Sequence, residues 1–520
     1  MKLTKKIMTT GIACFLGLSS LLAGGLLTNT NQSAHFLRNP ARGASMEIDA
    51  VYTNPAGLAF LSHDGFQFTL NNQSAFQTRT ITTTFAPFAM NGGNATKEFK
   101  GEASAFVIPS LYAAFKTGDW VISGGVGVVG GGGSLTFANG LPSFESQIAL
   151  PIGMLSQAAG IPTTYSLNSS LTGSTMTLGL QLGVTYKISE NFSAYAGGRV
   201  NFVNNSYEGY LRDVNLSAGS QMTAFFTGAA ANARGVAASL QPAIDGGMGG
   251  QPMSALGLPA EQMAQMAAAL GMPVENFAIV PIQVAQTAFV SAATQADGAV
   301  AGIAQLSGTN LELDTKQTGF GITPIIGLNF NWEKLNIGVK YEFRSKIDVT
   351  NATKVNTTGV ADFDDGVVTP HDIPAFFAIG AQYEIVPCFT VSAGYHHFFD
   401  SKARMGGDRQ KLIDGGINEF LIGAEWRINS RFLVSTGTQV TRTAVTDAYQ
   451  TDLSHSLNSA SVGIGGAFNV TEKIRINAAY FITIFEDWTV NMPQEGITPA
   501  MSNTFARTSN VVGIGVDFRF

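Results

Sequence analysis

Residues 335–344 read LNIGVKYEFR, a run in which apolar and polar side chains alternate. Successive side chains of a β-strand point to opposite faces, so a period of two predicts a strand with one apolar and one polar face. The apolar face carries Leu335, Ile337, Val339, Tyr341 and Phe343. The opposite face carries Asn336, Lys340, Glu342 and Arg344 around Gly338. Such a strand lies between an apolar and a polar environment.

The same alternation recurs along most of the chain, for example in residues 178–186, 377–385, 420–428 and 512–520. Counting these runs predicts about fourteen strands. They are 66–86, 101–116, 119–137, 173–188, 191–212, 311–333, 335–350, 371–386, 388–401, 416–428, 431–447, 457–469, 473–489 and 508–520. We therefore predict an all-β, antiparallel protein.

The connections between these strands differ in length in a regular way. Very short turns are predicted near residues 117–118, 189–190, 333–334, 386–387, 429–430 and 471–472. Long loops are predicted near residues 87–100, 138–172, 213–310, 351–370, 401–415, 447–457 and 490–507. Short and long connections alternate, which is the layout of a transmembrane β-barrel with short periplasmic turns and long extracellular loops.

Aromatic side chains flank the short turns, and rings of this kind prefer the headgroup level of a membrane. They are Trp120, Tyr186, Phe192, Trp332, Tyr383, Phe389, Trp426, Phe432 and Phe468. A soluble exported β-protein would also alternate, but the asymmetric connections and the aromatic positions favour an outer-membrane barrel. Backbone polar groups inside lipid must all be paired, so the sheet must close. An even strand count puts both chain ends on the periplasmic side.

The composition narrows the functional classes. Charged residues make up 13% of the chain, against roughly 25% in soluble globular proteins, and glycine supplies 59 of 520 residues. The net charge of −6 disfavours a nucleic-acid binder, and 36 phenylalanines disfavour disorder. The two cysteines and the scattered histidines predict no metal site and no cofactor. Because the sequence contains no catalytic triad, carboxylate dyad or cofactor fingerprint, we expect the protein not to be an enzyme.

The N-terminus has the layout of a secretory signal peptide. Lysines precede an apolar run over residues 7–23 that is too short to span a membrane comfortably. We expect cleavage after Ala23, which makes residues 1–23 the signal peptide; Ala34 is the alternative cleavage position.

The segment between the cleavage site and the first strand carries a motif. It includes the stretch IDAVYTNPAGLA at 48–59, with Asn54, Pro55 and Ala56, and an earlier Asn-Pro-Ala at 39–41. This segment resembles the N-terminal hatch of the FadL/TodX family, the outer-membrane transporters of long-chain fatty acids and hydrocarbons. That family shows an Asn-Pro-Ala motif before the first of its strands.

The resemblance implies an architecture and a mechanism. Residues 24–62 would form a hatch inside a fourteen-stranded barrel over residues 63–520, whose extracellular insertion near 213–310 contains some helix. A hydrophobic molecule would lodge among the outside loops and enter a pocket above the hatch. It would then leave sideways into the outer membrane, through a gap at a kinked third strand. The terminal Phe520 resembles the signal read by the barrel-assembly machinery, so the expected partners are that machinery, outer-membrane lipid and the hydrophobic substrate, without nucleic acid.

The insertion near 213–310 is the candidate for ligand capture. Residues 216–310 contain five charged residues and six methionines. After Pro259, the side chains of Met263, Met266 and Leu270 follow helical spacing, and methionine adapts to apolar ligands of variable shape. The alternative is that this stripe packs on neighbouring loop helices.

The third strand contains four consecutive glycines, Gly130, Gly131, Gly132 and Gly133. Glycine weakens a strand and permits bulges, so this run is the candidate for the lateral gap. The alternative is a patch of small residues against which the hatch packs. We expect valine at positions 131 and 133 to straighten the strand without loss of stability.

Strand parity places several charged side chains in the lumen, of which Arg199, Lys340 and Arg344 are the candidate anchors for a carboxylate. The alternative is that these charges pair with one another. Two other functions stay open, a diffusion pore for polar solutes and a surface adhesion or antigen protein. A general pore needs neither a hatch nor apolar loops, and an adhesion protein predicts polar loops.

Overall fold

A computed structural model describes residues 26, 28–492 and 500–520 of the chain, so the predicted signal peptide lies outside the described residues. Within them, one antiparallel 17-stranded sheet closes on itself, because β1 pairs with both β2 and the last strand, β17. The strands of the first half are β1 (Gly65–Thr84), β2 (Thr96–Thr117), β3 (Trp120–Phe137), β4 (Tyr165–Lys187), β5 (Phe192–Leu216), β6 (Leu311–Trp332), β7 (Leu335–Glu342) and β8 (Asp348–Asn356). Those of the second half are β9 (Val368–Pro370), β10 (Phe376–Val386), β11 (Phe389–Phe398), β12 (Asn418–Arg427), β13 (Phe432–Arg442), β14 (Ser459–Asn469), β15 (Ile474–Phe485), β16 (Trp488–Met492) and β17 (Met501–Arg519).

Three of these strands are continuations of others. β7 and β8 both pair with β6. On their other side, β7 pairs with β10 and β8 pairs with β9. β15 and β16 both pair with β17. The barrel wall therefore has fourteen strand positions, the number predicted from the alternation.

Several predicted loops are shorter than expected. β4 begins at Tyr165, inside the stretch 138–172, and β17 begins inside the stretch 490–507. The stretch 490–507 was expected to be a long loop, but β16 reaches Met492 and β17 begins at Met501. The first part of β17 is a strand because it is paired on both edges. Residues Ser502 to Phe505 pair with β16 on one edge and with the end of β1 on the other.

The outward face of the barrel is apolar. Leu182, Phe320, Ile322 and Leu328 are each more than half exposed. At the end with the short turns, Trp120, Trp332 and Trp426 are also more than half exposed, which confirms the aromatic belt predicted there. The two ends of the barrel are called the short-turn end and the long-loop end below.

The N-terminal segment fills the lumen as a hatch. It contains helix α1 (Ala34–Arg38), helix α2 (Ala50–Thr53) and a 3-10 helix at Pro55–Phe60. Nearly all of its described side chains are buried. Small wall residues permit this fit: a Cβ on Gly380 of β10 would lie 2.6 Å from the Cα of Gly43 in the hatch.

The long-loop end carries helices. They are α3 (Pro142–Ala159), α4 (Gly219–Ala243), α5 (Ala260–Ala269), α6 (Val274–Ala278) and α7 (Ile282–Ser307). The long helices α4 and α7 pack on each other, with an ion pair between Arg234 and Asp297. No helix in the described part of the chain is both long and apolar enough to span a membrane.

Candidate functional site: hatch, lumen chamber and wall gap

The predicted motif residues hold the hatch to the wall. The Asn54 carboxamide donates to the carbonyl of Ser45 at 3.0 Å and to Oδ1 of Asn329 on β6 at 2.8 Å. The carbonyl of Pro55 accepts from Thr185 and that of Ala56 from Ser193. Because Pro55 starts the 3-10 helix with its φ already set, these two carbonyls point at the wall. The earlier Asn39 makes the same kind of contact, donating to Ser392 at 3.2 Å.

A network of buried ion pairs connects the hatch segments around Arg38, Arg42, Glu47 and Asp49 to the wall. Arg42 binds both carboxylate oxygens of Asp49 at 2.8 Å, and its Nη2 also contacts Glu47 at 2.8 Å. Arg38 pairs with Glu425 of the wall, and Arg475 pairs with Glu47 at 2.5 Å. Burial alone would raise the pKa of Asp49, but the Arg42 guanidinium holds it below its usual value.

This network is not a metal centre. Donor atoms of His35, Glu47 and Asp49 lie within 4.8 Å of one another. Arginines already occupy both carboxylates, so a cation would have to displace them. The ion pairs therefore hold the segments of the hatch together.

Three small cavities surround Tyr52 of the hatch and form what we call the lumen chamber. Each has a free volume of about 10 Å³, room for about one water molecule. The chamber walls are mostly apolar or neutral. They include Thr30, Val129, Ile373, Pro374, Phe376 and Phe398. A larger apolar molecule would have to displace hatch side chains from around these cavities, whose lining is suited to it.

The charged side chains of the chamber are paired. Arg199 forms an ion pair with Glu342, and the Lys340 ammonium lies 2.8 Å from Glu342 and 2.7 Å from the carbonyl of Tyr52. Both cations also lie over the Tyr52 ring, at 5.3 Å for Arg199 and 4.8 Å for Lys340. Arg344 is elsewhere. It donates to the carbonyl of Lys402 at 2.7 Å and is partly exposed. The structure thus brings two of the three predicted anchors together and leaves Arg344 out.

The wall has a gap between β2 and β3. Their ladder runs to the pair Ser110 and Gly127 and resumes only at Ala103 and Leu135. Residues 104–109 of β2 and 128–134 of β3 are therefore not paired with each other. The four glycines lie in this unpaired stretch, which also has two bulges against β4. Gly131 and Gly132 have φ angles of +67° and +119°, a region that glycine adopts without strain.

Hatch residues 29–32, which we call the strap, cross this gap from inside the barrel. The backbone N–H of Asn29 donates to the carbonyl of Val129 at 2.9 Å, and its carboxamide donates to those of Gly131 at 2.8 Å and Val128 at 3.3 Å. Gln32 also donates to the Val128 carbonyl, at 2.8 Å. These bonds replace part of the missing ladder on the β3 side.

The other side of the strap is tied to β1 and β2. Ser110 donates to the Gln32 carbonyl at 2.6 Å, and Gln73 donates to that of Asn31 at 2.5 Å. The Tyr52 hydroxyl donates to the Asn29 carbonyl at 2.9 Å, which connects the strap to the chamber. The strap therefore bridges both edges of the gap.

On the outside, the β2 edge of the gap is a bulge. Phe106 and Val107 are consecutive, yet they are 67% and 71% exposed, so the alternation fails here. Asn72 and Ser74 of β1 donate to the carbonyl of Phe106 and stabilise the bulge. Two adjacent apolar side chains thus face the membrane beside the gap.

The predicted capture residues lie in the distal part of the insertion. Met263 and Met266 are buried against Phe277 and Phe289, with Leu270 packed beside them. In this position they stabilise the tip and offer little surface to a ligand. A small apolar crevice, with a free volume of about 20 Å³, lies at the barrel mouth, where Phe144 of α3 meets Leu211, Leu311 and Leu313 of the wall.

The sequence did not single out the strap or Tyr52. Asn29 and Gln32 are ordinary polar residues in a polar stretch, and only the three-dimensional position of the unpaired carbonyls gives them a role. Glu342 was assigned to the lumen by parity, but its partners on β5 and β7 depend on the wall geometry. One signal was available: a glycine run that breaks a ladder leaves carbonyls that some other donor must satisfy.

Comparisons with known proteins identify the fold. No protein-family model matches the chain, and no curated protein sequence matches it. Among solved structures, a Pseudomonas aeruginosa FadL homologue superposes with a TM-score of 0.57 at 11% identity, over 95% of this chain and 99% of that one. The P. putida toluene transporter TodX superposes with a TM-score of 0.48 at 16% identity, over 91% and 94% of the two chains. The chain therefore has a FadL-like barrel fold.

Proposed function

We propose that this chain, whose fold is that of the FadL homologue, carries hydrophobic small molecules across the outer membrane. The observation that carries the proposal is the position of Val129. This residue lines the lumen chamber and also lies in the unpaired stretch of β3. A molecule in the chamber is thus one side chain away from the break in the wall.

The route has three stages. An apolar molecule first binds at the long-loop end, where Phe144 and leucines of the wall line a small apolar crevice. It then enters the chamber above the hatch and displaces the strap from the β3 carbonyls. It finally leaves between β2 and β3, past Phe106 and Val107, into the lipid of the outer membrane.

Physical chemistry favours a lateral exit for such a substrate. Apolar molecules gain about 25 cal/mol for each Å² removed from water, so release into the periplasm would be uphill. The hatch closes the straight path with buried ion pairs, whereas the wall gap is closed by a few neutral hydrogen bonds. The strap is therefore the weaker of the two barriers. In this orientation the short-turn end and the C-terminal Phe520 face the periplasm. The prediction that both chain ends lie on that side is wrong for the N-terminal end, because Leu26 packs with Met405, Ile413 and Tyr449 at the long-loop end.

The proposal is tested by blocking the link between chamber and gap. Val129→Phe should reduce the uptake of a radiolabelled alkane by cells that express the protein, while the crevice still binds the probe. Val184→Phe is the matched control, because it makes the same change at an exposed position on the neighbouring strand β4, away from the chamber and the gap. Full uptake by the Val129→Phe variant would refute the route.

A diffusion pore for polar solutes is the rival function. It predicts steady ionic conductance through the intact barrel in a planar bilayer. Our proposal predicts low conductance together with alkane uptake, so the two measurements separate the alternatives.

A further inference from the structure

The lumen chamber contains its own carboxylate. Glu342 projects from β7 between Arg199 and Lys340 and is only 5% exposed. It occupies the position that the carboxylate of a fatty acid would need in order to pair with these cations. The two predicted anchors are therefore already engaged without a ligand.

Every cation that lines the chamber already has a carboxylate partner. Arg199 and Lys340 share Glu342, and Arg42 is paired with Asp49 and Glu47. Glu419 is bonded to His396, whose side chain lines the chamber, at 2.9 Å. The ammonium of Lys340 is further satisfied by the Tyr52 carbonyl and by the rings of Tyr52 and Phe376.

A charged ligand would disturb this arrangement. A carboxylate entering the chamber would either add an uncompensated negative charge or displace Glu342 from its partners. Both outcomes leave a buried charge without a counter-ion, which is among the costliest changes in a protein interior. An uncharged molecule requires neither, and it contacts the apolar walls formed by Val129, Ile373 and Phe398.

We infer that the chamber selects uncharged hydrocarbon-like molecules over fatty acids, and that Glu342 is the residue that determines this selectivity. The inference rests on the proposed function, because it concerns the substrate of the same chamber. It assigns Glu342 the role of an internal counter-ion, which fills the carboxylate site and so excludes a ligand that carries one.

The inference is tested with two probes of equal carbon number, n-tetradecane and myristate. Each competes with a fluorescent uncharged alkyl probe for the full-length protein in nanodiscs at pH 8. The wild-type protein should bind tetradecane at least about tenfold more tightly than myristate. Glu342→Gln should raise the affinity for myristate about tenfold or more and leave that for tetradecane nearly unchanged, because it frees one positive charge. Glu312→Gln, an exposed change at the outer end of β6, is the control and should alter neither affinity.

A second variant keeps the test independent of whether Glu342→Gln folds. Lys340→Met leaves Arg199 and Glu342 as a balanced pair, so the inference expects no loss of myristate affinity. A tenfold loss would show that Lys340 anchors a carboxylate and would overturn the inference. Equal or tighter binding of myristate by the wild-type protein would also overturn it, while leaving the proposed transport intact. If neither compound displaces the probe, the proposed function fails, and the inference fails with it.

Discussion

At the scale of single residues, Tyr52 connects the parts of the site. Its ring lies beneath Arg199 and Lys340, its carbonyl accepts from Lys340, and its hydroxyl donates to the strap at Asn29. Tyr52 therefore contacts both the charged residues of the chamber and the strap that closes the gap. A substitution that removes only the hydroxyl therefore tests the contact with the strap separately from the contacts of the ring.

Tyr52→Phe should loosen the strap while the chamber keeps its shape. The variant loses one buried hydrogen bond, worth about 1 kcal/mol, and retains both cation–ring contacts. Hydrogen exchange of the amides of residues 29–32 should become several-fold faster. Tyr395→Phe removes a comparable bond to Asn418 on the wall and should leave the strap amides unchanged. Equal protection of the strap in both variants would refute the connection.

A second residue-scale prediction concerns Asp400, which lies in the loop after β11. Burial raises the pKa of this carboxyl to about 7, although it accepts the N–H of Ile417 at 3.0 Å. The folded loop thus holds the proton more tightly than an unfolded carboxyl, whose pKa is about 3.9. Loop stability should therefore fall as the pH rises from about 4 to 7 and level off above that range.

Asp400→Asn should abolish this dependence, because the amide does not titrate. The measurement is protection of the Ile417 amide from hydrogen exchange, corrected for the intrinsic rate, between pH 5 and pH 9. Asp408→Asn, an exposed change in the same loop, should keep the wild-type profile. A flat profile in the wild-type protein would contradict the assignment.

At the scale of elements, the third strand shows what the sequence predicted and what it did not. The glycine run predicted an irregular strand, and the ladder is broken there. The expectation that valine at 131 and 133 would straighten the strand is wrong for Gly131. A Cβ at this position would collide with the Thr175 backbone on β4, and the φ angle of +67° is strained for valine. Glycine has a low intrinsic preference for strands, but the positive φ angle at position 131 requires it there.

Gly131→Val should therefore destabilise the barrel by about 1–3 kcal/mol instead of stabilising it. The expected readout is a lower urea midpoint for unfolding in detergent micelles. Gly228→Val lies on the exposed face of α4, where an added side chain meets nothing within 4 Å, and it serves as the control for the folding of the variant. An unchanged midpoint for Gly131→Val would mean that the strand can straighten after all.

Strand positions were predictable because membrane strands expose one face to lipid and the other to the lumen. Parity alone placed Lys340 and Glu342 on the inward face. The pairing of Arg199 with Glu342 was not predictable, because it joins strands 143 residues apart in sequence. The same holds for Asn29 and Gly131, which lie 102 residues apart. Local pattern fixes which face a side chain occupies, whereas its partner depends on the closed sheet.

At the scale of the whole molecule, the barrel and the hatch form one buried unit. Helix α1 contacts β13, β14, β15, β17 and β1, and the 3-10 helix at Pro55–Phe60 contacts β2 to β7. The hatch therefore touches most of the circumference of the wall. Removal of the hatch should therefore raise the conductance of the barrel while the strand pairing of the sheet is kept.

Deletion of residues 24–60 should convert the closed barrel into an open pore. The sheet keeps its strand pairing, but the lumen loses the side chains that fill it, so single-channel conductance in a planar bilayer should rise several-fold. Tetradecane binding in the chamber should be lost, because Tyr52 is removed. Unchanged conductance after the deletion would show that these residues do not occlude the lumen.

The contact between His35 of the hatch and Asp517 of β17 joins positions 482 residues apart, at a distance of 3.1 Å. β17 is also the strand that seals the barrel against β1. This contact therefore lies at the seam and joins the first part of the described chain to its last strand. A bond at that place ties the stability of the closed seam to the presence of the folded hatch.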